Sequence, residues 1–375
     1  MGVKKVFTFK SGYFIFSDKF SFEELQPLII EARILYETVK DLPILPELAS
    51  ALEQELIRRS IFGTAAIEGN PLTEEAVGLI ISDTESINVK KRAEREIANL
   101  KTAYDLIKGW QTAKDPFKVT EDIIKEFHAL ITRKVDVEYN NPGHYRNHIV
   151  KVGDRQHGGI YTPPKCLPDI EKLMNEFSEW INGPEALNLY PPIRAALSHY
   201  YIGLIHPFGD GNGRTARIIE AAILKLSGIK YVPIMLSNFY YKNIDDYFWA
   251  FSNSIKNKEN NITPFIKFAL QGFVESLKEI KERIIYIIRK FTLRDYYDFL
   301  KKKKHITLRQ HDLLVMLLDY NKPFNIKDLF GEAPFEILYR NVGERTARRD
   351  LKKLSEQFLN VTEDNKYILN WRALE

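Results

Sequence analysis

The sequence predicts a mainly helical protein, and three observations carry that prediction. Apolar residues recur three and four apart, as in Leu25, Leu28, Ile29, Ala32 and Leu35, or Ile123, Ile124, Phe127, Leu130 and Ile131. That is the spacing of one helix face. Proline or threonine opens many of these stretches and glycine closes several, the asymmetry of helix ends. Short alternating stretches suited to strands are confined to residues 1–20, residues 149–162 and the C-terminal end. At 375 residues the chain has room for two or three domains and a large core. A net charge of +4 sets up no global field for nucleic acid, so any basic patch is local. Cys166 is the only cysteine, which excludes an internal disulfide framework and a multi-cysteine zinc site and suits a reducing cytosol. No run of about 18 apolar residues and no signal-peptide core is present. The expectation is a cytoplasmic protein with no membrane partner.

Taken in order, residues 1–20 suggest a hairpin or docking arm around Val6, Phe7, Phe9, Tyr13, Phe14 and Phe16. Helical spacing follows over 21–39 and 45–67. The second helix ends at Glu68-Gly69-Asn70, with Gly69 as cap and Pro71 preventing continuation. Thr73 caps the next helix. Residues 84–92 read as a polar surface loop, 94–107 as a helix, and 111–117 as a linker. Thr120 caps another helix, and Asn140-Asn141-Pro142-Gly143 is a turn. Ile149–Val152, Gly153-Asp154 and Ile160–Thr162 read as a hairpin. His144, His148 and His157 lie in this region without metal-ligand spacing, so they read as polar surface or hairpin residues. A helix covers 168–181, and Pro191-Pro192 opens another that stops at His206, the residue before Pro207. Ile218, Ile219, Ala222, Ile223 and Leu226 mark the next, ended by Gly228. The aromatics of 233–251 are mostly core. Thr263-Pro264 opens a helix expected to complete the core domain near 272, followed by a charged helical connector over 273–304. Beyond Ile306 come a helix capped by Thr307, a short helix over Phe324–Leu329, and a helix over Glu344–Leu354. In the last, Ala347, Leu351 and Leu354 share one face and Arg345, Arg348, Arg349 and Lys352 the other. Val361-Thr362 and Tyr367–Leu369 flank a polar turn.

Residues 206–217, HPFGDGNGRTAR, stand out between two helices. The glycines read as a tight loop whose backbone N–H groups turn inward as an anion nest. Arg214 and Arg217 are placed in the first turn of the following helix, where the macrodipole disfavours cations. An anion held by loop amides, dipole and two guanidinium groups would resolve that conflict. Asp210 could hold Mg²⁺ against a phosphate, and His206 could take a proton from a nucleophile. A simple Gly/Asn turn with a core histidine explains the glycines but not the arginines. A P-loop does not fit, because only three residues separate Gly209 from Gly213 where four are needed, and Arg214 follows in place of lysine.

The stretch resembles the signature of the Fic family, HxFx(D/E)GNGRxxR, at every defined position. The resemblance implies a Fic/Fido helical core with a β-hairpin flap, and an adenylyltransferase that moves AMP from ATP onto a protein hydroxyl. It implies His206 as general base and Asp210 as Mg²⁺ ligand. Gly211, Asn212, Gly213, Arg214, Thr215 and Arg217 would bind ATP, with Arg214 on the β- and Arg217 on the γ-phosphate. Retention of Gly213 and Arg217 favours AMP transfer over the phosphate transfer of Doc-type kinases. The segment from Pro142 to Pro164 matches the family's flap, where Val150, Val152 and Tyr161 would receive a target segment as an added strand. Asn243 and Tyr247 match the adenine-pocket positions, while the family's second tyrosine is Phe248 here.

Local electrostatics suggest one more contact. Glu68 ends a helix where the dipole is negative, the mirror of the arginine conflict, so pairing the two would relieve both. Thr64 to Gly69 also fits the family's inhibitory pattern (S/T)xxxE(G/N). The resemblance implies that Glu68 pairs with Arg217 and blocks productive ATP binding. The same glutamate could alternatively orient a water to remove AMP, making the enzyme bidirectional.

The expected divisions are 1–110, an N-terminal helical region with the inhibitory helix; 111–272, the catalytic core; 273–305, a helical connector; and 306–375, a winged helix-turn-helix, common at the C-terminus of longer Fic proteins. Expected partners are a target protein with a Tyr, Thr or Ser hydroxyl, either DNA or another protein at the basic C-terminal helix, and a second copy, since the family often dimerises. The rival reading is a DNA-binding regulator in which the Fic core is only a nucleotide sensor.

Overall fold

The computed structural model describes residues 2–82, 91–112, 115–232 and 235–375. The surface loop expected over 84–92 lies mostly outside the described residues. The chain divides into two compact units, one of residues 1–41 and 45–281 and one of residues 42–44 and 282–375.

The first unit opens on a hairpin, β1 (Val3–Phe7) paired antiparallel with β2 (Tyr13–Ser17). Buried Asp169 collects its turn, accepting from the N–H of Phe9 at 2.6 Å and of Lys10 at 3.0 Å. Helices α1 (Phe22–Asp41), α2 (Pro46–Ile67), α3 (Glu74–Ser82), α4 (Arg92–Gly109) and α5 (Glu121–Ile131) follow. Thr120 caps α5 by accepting from the Ile123 N–H at 3.3 Å. Then come the hairpin β3 (Val152–Asp154) and β4 (Gly159–Tyr161), helix α6 (Leu167–Ile181) and the single turn α7 (Pro184–Leu187). The turn of this hairpin is 155–158, so Gly153-Asp154 extends β3 rather than turning the chain.

Helices α8 (Pro191–Ile205) and α9 (Asn212–Leu226) form the centre of this unit, with nearly every side chain buried. Around them lie α10 (Leu236–Lys242), α11 (Ile244–Lys256) and the long α12 (Thr263–Lys302). No break occurs near 272. After Pro264 in the first turn, neither proline nor a glycine pair interrupts the ladder of this helix. The division between the units falls inside this helix.

Helix α2 lies close against α10. A Cβ on Gly63 would come within 2.7 Å of the Ser237 carbonyl oxygen. Gly63→Ala is therefore expected to cost about 1–3 kcal/mol, the usual range for overpacking, and to lower the urea midpoint. An unchanged midpoint would mean that α2 moves away from α10 freely.

The second unit packs α13 (Leu308–Leu317), α14 (Asp328–Gly331), α15 (Glu336–Tyr339) and α16 (Glu344–Leu354) with the hairpin β5 (Leu359–Val361) and β6 (Tyr367–Leu369). Leu314, Phe324, Tyr339, Leu351 and Leu369 share its core. A Thr307–Gln310 capping box starts α13. Phe324 is not helical. Its N–H and C=O exchange bonds with Tyr367 at 2.9 and 2.7 Å, adding a bridge beside the hairpin. The short helix starts four residues later, at Asp328. On α16, Arg345, Arg348, Arg349 and Lys352 are exposed while Ala347, Leu351 and Leu354 are buried.

Candidate active site

Helix α8 stops at Ile205, and His206 takes a left-handed conformation with φ 51° and ψ 58°. The following proline disfavours the right-handed helical region for His206. A non-glycine residue with positive φ stores strain that its surroundings must hold. Arg146 does so. Its Nε donates to the His206 carbonyl at 2.8 Å and its Nη2 to the Pro164 carbonyl at 2.8 Å, while its own N–H donates to Pro207 at 2.9 Å.

The loop after His206 is braced from inside. Asn212 Oδ1 accepts from the Phe208 N–H at 2.9 Å, and its Nδ2 donates to the Phe208 carbonyl at 2.9 Å. Phe208 stacks on His128 with ring centroids 3.6 Å apart. His128 Nδ1 accepts from the Gly143 N–H at 2.9 Å, so its Nε2–H donates to the Asp210 carbonyl, also at 2.9 Å. Burial lowers the His128 pKa from 6.5 to about 4, which keeps this neutral tautomer.

Gly211 caps α9 at φ 76°, and a Cβ there would meet the Thr132 methyl at 2.9 Å. Thr215 is the first residue to bond within the helix, its N–H and its Oγ1 each donating to the Gly211 carbonyl at 2.9 Å. The N–H groups of Asn212, Gly213 and Arg214 therefore precede the helical ladder and form the helix's anion-favouring end. With Asn212 as the first helical residue, Arg214 lies in the first turn but Arg217 in the second. The motif's second arginine is thus placed by side-chain reach rather than by the helix end.

Glu68 is the C-cap of α2, followed by Gly69 at φ 81°. Its Oε1 accepts from Arg217 Nη2 at 2.6 Å, and the same Nη2 donates to the Thr64 carbonyl at 3.2 Å. A methyl group on Gly213 would collide with Glu68 Oε1. The carboxylate therefore sits over the first turn of α9, where an anion would sit. Arg217 is 1% exposed. Burial works against its charge, but Glu68 beside it raises its pKa above the ordinary guanidinium value. Arg214, also buried, pairs with Asp210 at 2.6 Å and lies 3.6 Å from Glu96 of α4.

His206 Nδ1 lies 3.3 Å from the Gly203 carbonyl, so Nδ1 carries the proton and Nε2 the lone pair. Burial, ahead of any charge, lowers its pKa from 6.5 to about 4. It opens on a cavity of about 370 Å³, together with Glu68, Gly213, Arg217, the β3–β4 hairpin and an α11 wall of Tyr247, Phe248 and Phe251. Val152 and Tyr161, paired across the hairpin, line this cavity. Val150 precedes β3 and is not among the lining residues. Nor is Asn243, which sits between α10 and α11 with its Nδ2 donating to the Phe239 carbonyl at 3.0 Å.

Five side chains around the site escaped the sequence reading: Arg146, His128, Glu96, His199 and Glu220. A carboxylate on the apolar stripe of α4 was the visible sign for Glu96, as it was for Glu220 on α9.

His157 is a hairpin residue, as expected, but it is also a clasp. Its Nδ1 meets Asp154 at 2.9 Å and its Nε2 meets Asp245 of α11 at 3.0 Å. The Asp154 contact, followed by that to Asp245, raises its pKa above 6.5 despite some desolvation. Its sign follows from linkage: the clasp is complete below 6.5 and is lost as pH rises through the raised folded value. Trp249 lies 6.2 Å from the ring. A Trp249 fluorescence change centred above 6.5 is expected, and it should vanish in His157→Gln. A transition at or below 6.5 in the native protein would contradict the clasp.

Among the described residues no group of three or more His, Cys, Asp and Glu side chains is arranged to hold a metal ion. Asp210, with its side chain 25% exposed, offers one carboxylate beside the anion end of α9. One carboxylate fits Mg²⁺ that arrives with phosphates supplying its other ligands. Among the described residues no helix is long and apolar enough to cross a membrane.

Residues 118–224 match the model of the Fic/DOC family. The chain is 30% identical over 217 residues to "Protein adenylyltransferase Fic" of Aedes aegypti, spanning 58% of this chain and 40% of that protein. The protein of the same description from Nematostella vectensis is 31% identical over 216 residues, spanning 57% of this chain and 46% of its own length. The match therefore spans less than half of these relatives. Among solved structures, a Fic family protein from Desulfovibrio desulfuricans G20 aligns with a TM-score of 0.56 and 20% identity, covering 92% of this chain and 95% of that one. Fic-1 (residues 134–508) from C. elegans aligns with a TM-score of 0.52 and 23% identity, covering 69% and 71%. At these identities the structures establish the fold: mainly helical, with small β-hairpins.

Proposed function

We propose that this chain, which carries a Fic/DOC-family region over residues 118–224, is a protein adenylyltransferase held off by its own Glu68. The observation that carries the reading is a single cavity onto which a neutral, partly buried histidine, a helix N-terminus and buried Arg217 all open.

ATP would place its phosphates over the N–H groups of Asn212, Gly213 and Arg214, with Arg214 and Arg217 neutralising the outer charges. The Asn212 side chain would act indirectly, by keeping the loop in shape. Asp210 would hold Mg²⁺, which when bound offsets phosphate charge. A Tyr, Thr or Ser hydroxyl on a segment docked along the β3–β4 hairpin would give its proton to His206 Nε2. Its oxygen would form a bond to the α-phosphorus while the bond to the β-phosphate oxygen breaks, and pyrophosphate would leave toward the arginines. Positioning and charge neutralisation supply most of the rate in such transfers. Tyr247, Phe248 and Phe251 would form the apolar wall for the base. Mass spectrometry of a cell extract incubated with ATP and Glu68→Gly should find AMP on hydroxyl side chains. Phosphate on those side chains would instead mean a kinase, and would overturn the reading.

The second unit supports an additional partner. Arg345, Arg348, Arg349 and Lys352 make one exposed face of α16 basic, and the β5–β6 hairpin that follows in the chain would serve as a wing. We propose DNA as the ligand of this face. Arg345→Ala/Arg349→Ala should weaken duplex binding and reduce its salt slope by about 2. Equal binding and an equal slope would remove DNA from this face.

A further inference from the structure

Of the two arginines in the loop motif, only Arg214 sits in the first turn of α9, and carboxylates from two different elements approach it. Asp210, in the preceding loop, accepts from its Nη2 at 2.6 Å. Glu96, on α4, lies 3.6 Å from its Nη1. Arg214 is 2% exposed, and its buried Nε makes no hydrogen bond.

The two carboxylates differ in their freedom to move. The Asp210 side chain is 25% exposed, and among the described residues its carboxylate bonds only Arg214. Glu96 is 8% exposed and is held at both oxygens. Its Oε2 accepts from Asn70 Nδ2 at 2.9 Å, and its Oε1 from Arg92 Nε at 3.1 Å. Asn70 is fixed in its turn, since its Nδ2 also donates to the Ala93 carbonyl at 3.0 Å and its Oδ1 accepts from the Leu72 N–H at 3.2 Å. Asp210 can therefore swing toward a new partner at little cost. Glu96 cannot do so without leaving inward-facing donors unpaired.

That difference matters once Asp210 is asked to hold Mg²⁺. A dication beside its carboxylate diverts the negative charge that Arg214 faces and repels the guanidinium. A buried guanidinium whose carboxylate is taken away is strongly destabilised unless another one stays. Glu96 is the carboxylate that stays, because α4 and the turn after α2 hold it from behind.

We infer that Glu96 is the positioning residue of Arg214, keeping the guanidinium in place for phosphate while Asp210 is engaged by Mg²⁺. This rests on the reading of the site as one for Mg²⁺ and a nucleotide polyphosphate. Glu96 acts through Arg214 and not on the substrate, so its loss should be felt only when Mg²⁺ is present and only when Arg214 is there to be held.

The test uses Glu68→Gly as its background, which also removes any effect that Glu96 passes through Asn70 to the Glu68 turn. Glu96→Gln keeps the side-chain volume and one acceptor oxygen but loses the charge. By calorimetry with saturating Mg²⁺, Glu96→Gln should weaken ATP binding about tenfold, a size usual for coupling within one salt-bridge network. In EDTA, where Asp210 remains on Arg214, the same substitution should change ATP affinity by less than about twofold. Arg214→Ala completes the comparison: with the guanidinium gone, Glu96→Gln should weaken ATP binding no further, even with Mg²⁺. Unchanged affinity in Mg²⁺ would overturn the inference. So would a loss of equal size in EDTA, or one that persists in Arg214→Ala, since either is what a merely structural glutamate would give. Each comparison decides alone if binding in the other is too weak to measure. If Glu68→Gly binds ATP with Mg²⁺ yet transfers nothing to protein, the transferase reading fails and these affinities still decide the role of Glu96. If it binds ATP in neither condition, both fall.

Discussion

Glu68→Gly should raise AMP transfer from ATP by about 10- to 100-fold. The Glu68 carboxylate bonds Arg217 at 2.6 Å and overlies Gly213 in the first turn of α9. Phosphate and carboxylate would compete for the same donors, so ATP meets a site that is open only part of the time. Apparent affinity falls in proportion to the open fraction, and an inhibited state favoured by about 1.4–2.8 kcal/mol gives the stated range. Glu68→Gln tests whether charge or volume matters. It keeps the shape but loses the ion pair, and is expected to fall between wild type and glycine. Initial rates at subsaturating ATP are the measurement, and a rate no higher than wild type would remove the inhibitory role.

His206→Ala should lower transfer by about 10²–10⁴-fold, the usual contribution of a positioned general base. The pH profile separates this histidine from an ordinary one. Burial lowers its pKa to about 4, so the neutral, proton-accepting form persists throughout the neutral range. The rate of Glu68→Gly should therefore show no inflection near 6.5 attributable to the base, and should decline only as pH falls toward about 4. A drop centred near 6.5 would mean that the base is an unperturbed histidine or another group. Loss of less than tenfold in His206→Ala would mean that proton removal is not part of the slow step.

Most helices were legible because their ends are punctuated. Pro191 opens α8, Thr120 and Thr307 cap α5 and α13, and Gly69 closes α2. The approach of Glu68 to Arg217 was legible for a different reason. Each charge stood at the wrong end of a helix dipole, and such conflicts point to a partner. The electrostatic argument paired Glu68 with one of Arg214 and Arg217, and the family pattern singled out Arg217, which lies in the second turn and reaches the site by its length. Other features had no local signature that named a partner. Arg146 gathers the carbonyls of His206 and Pro164, which are far apart in sequence and meet only in the folded chain. His199 and Glu220 sit on apolar faces of α8 and α9, where a lone polar residue does not reveal its neighbour. The unbroken run of α12 was hidden by composition, since a switch from apolar to charged residues changes what a helix faces without ending it. Asn243 matched a sequence position, yet its amide is bonded to Phe239 and it does not line the cavity. Matching a position does not fix the direction of a side chain.

The most direct measurement is label transfer to protein from α-labelled ATP by wild type, Glu68→Gly and Glu68→Gly/His206→Ala in parallel, with γ-labelled ATP as the companion. The account predicts weak α-label transfer by wild type, strong transfer by Glu68→Gly, none by the double variant, and no γ-label with any of them. Equal α-label from wild type and Glu68→Gly, or label arriving from the γ position, would contradict it.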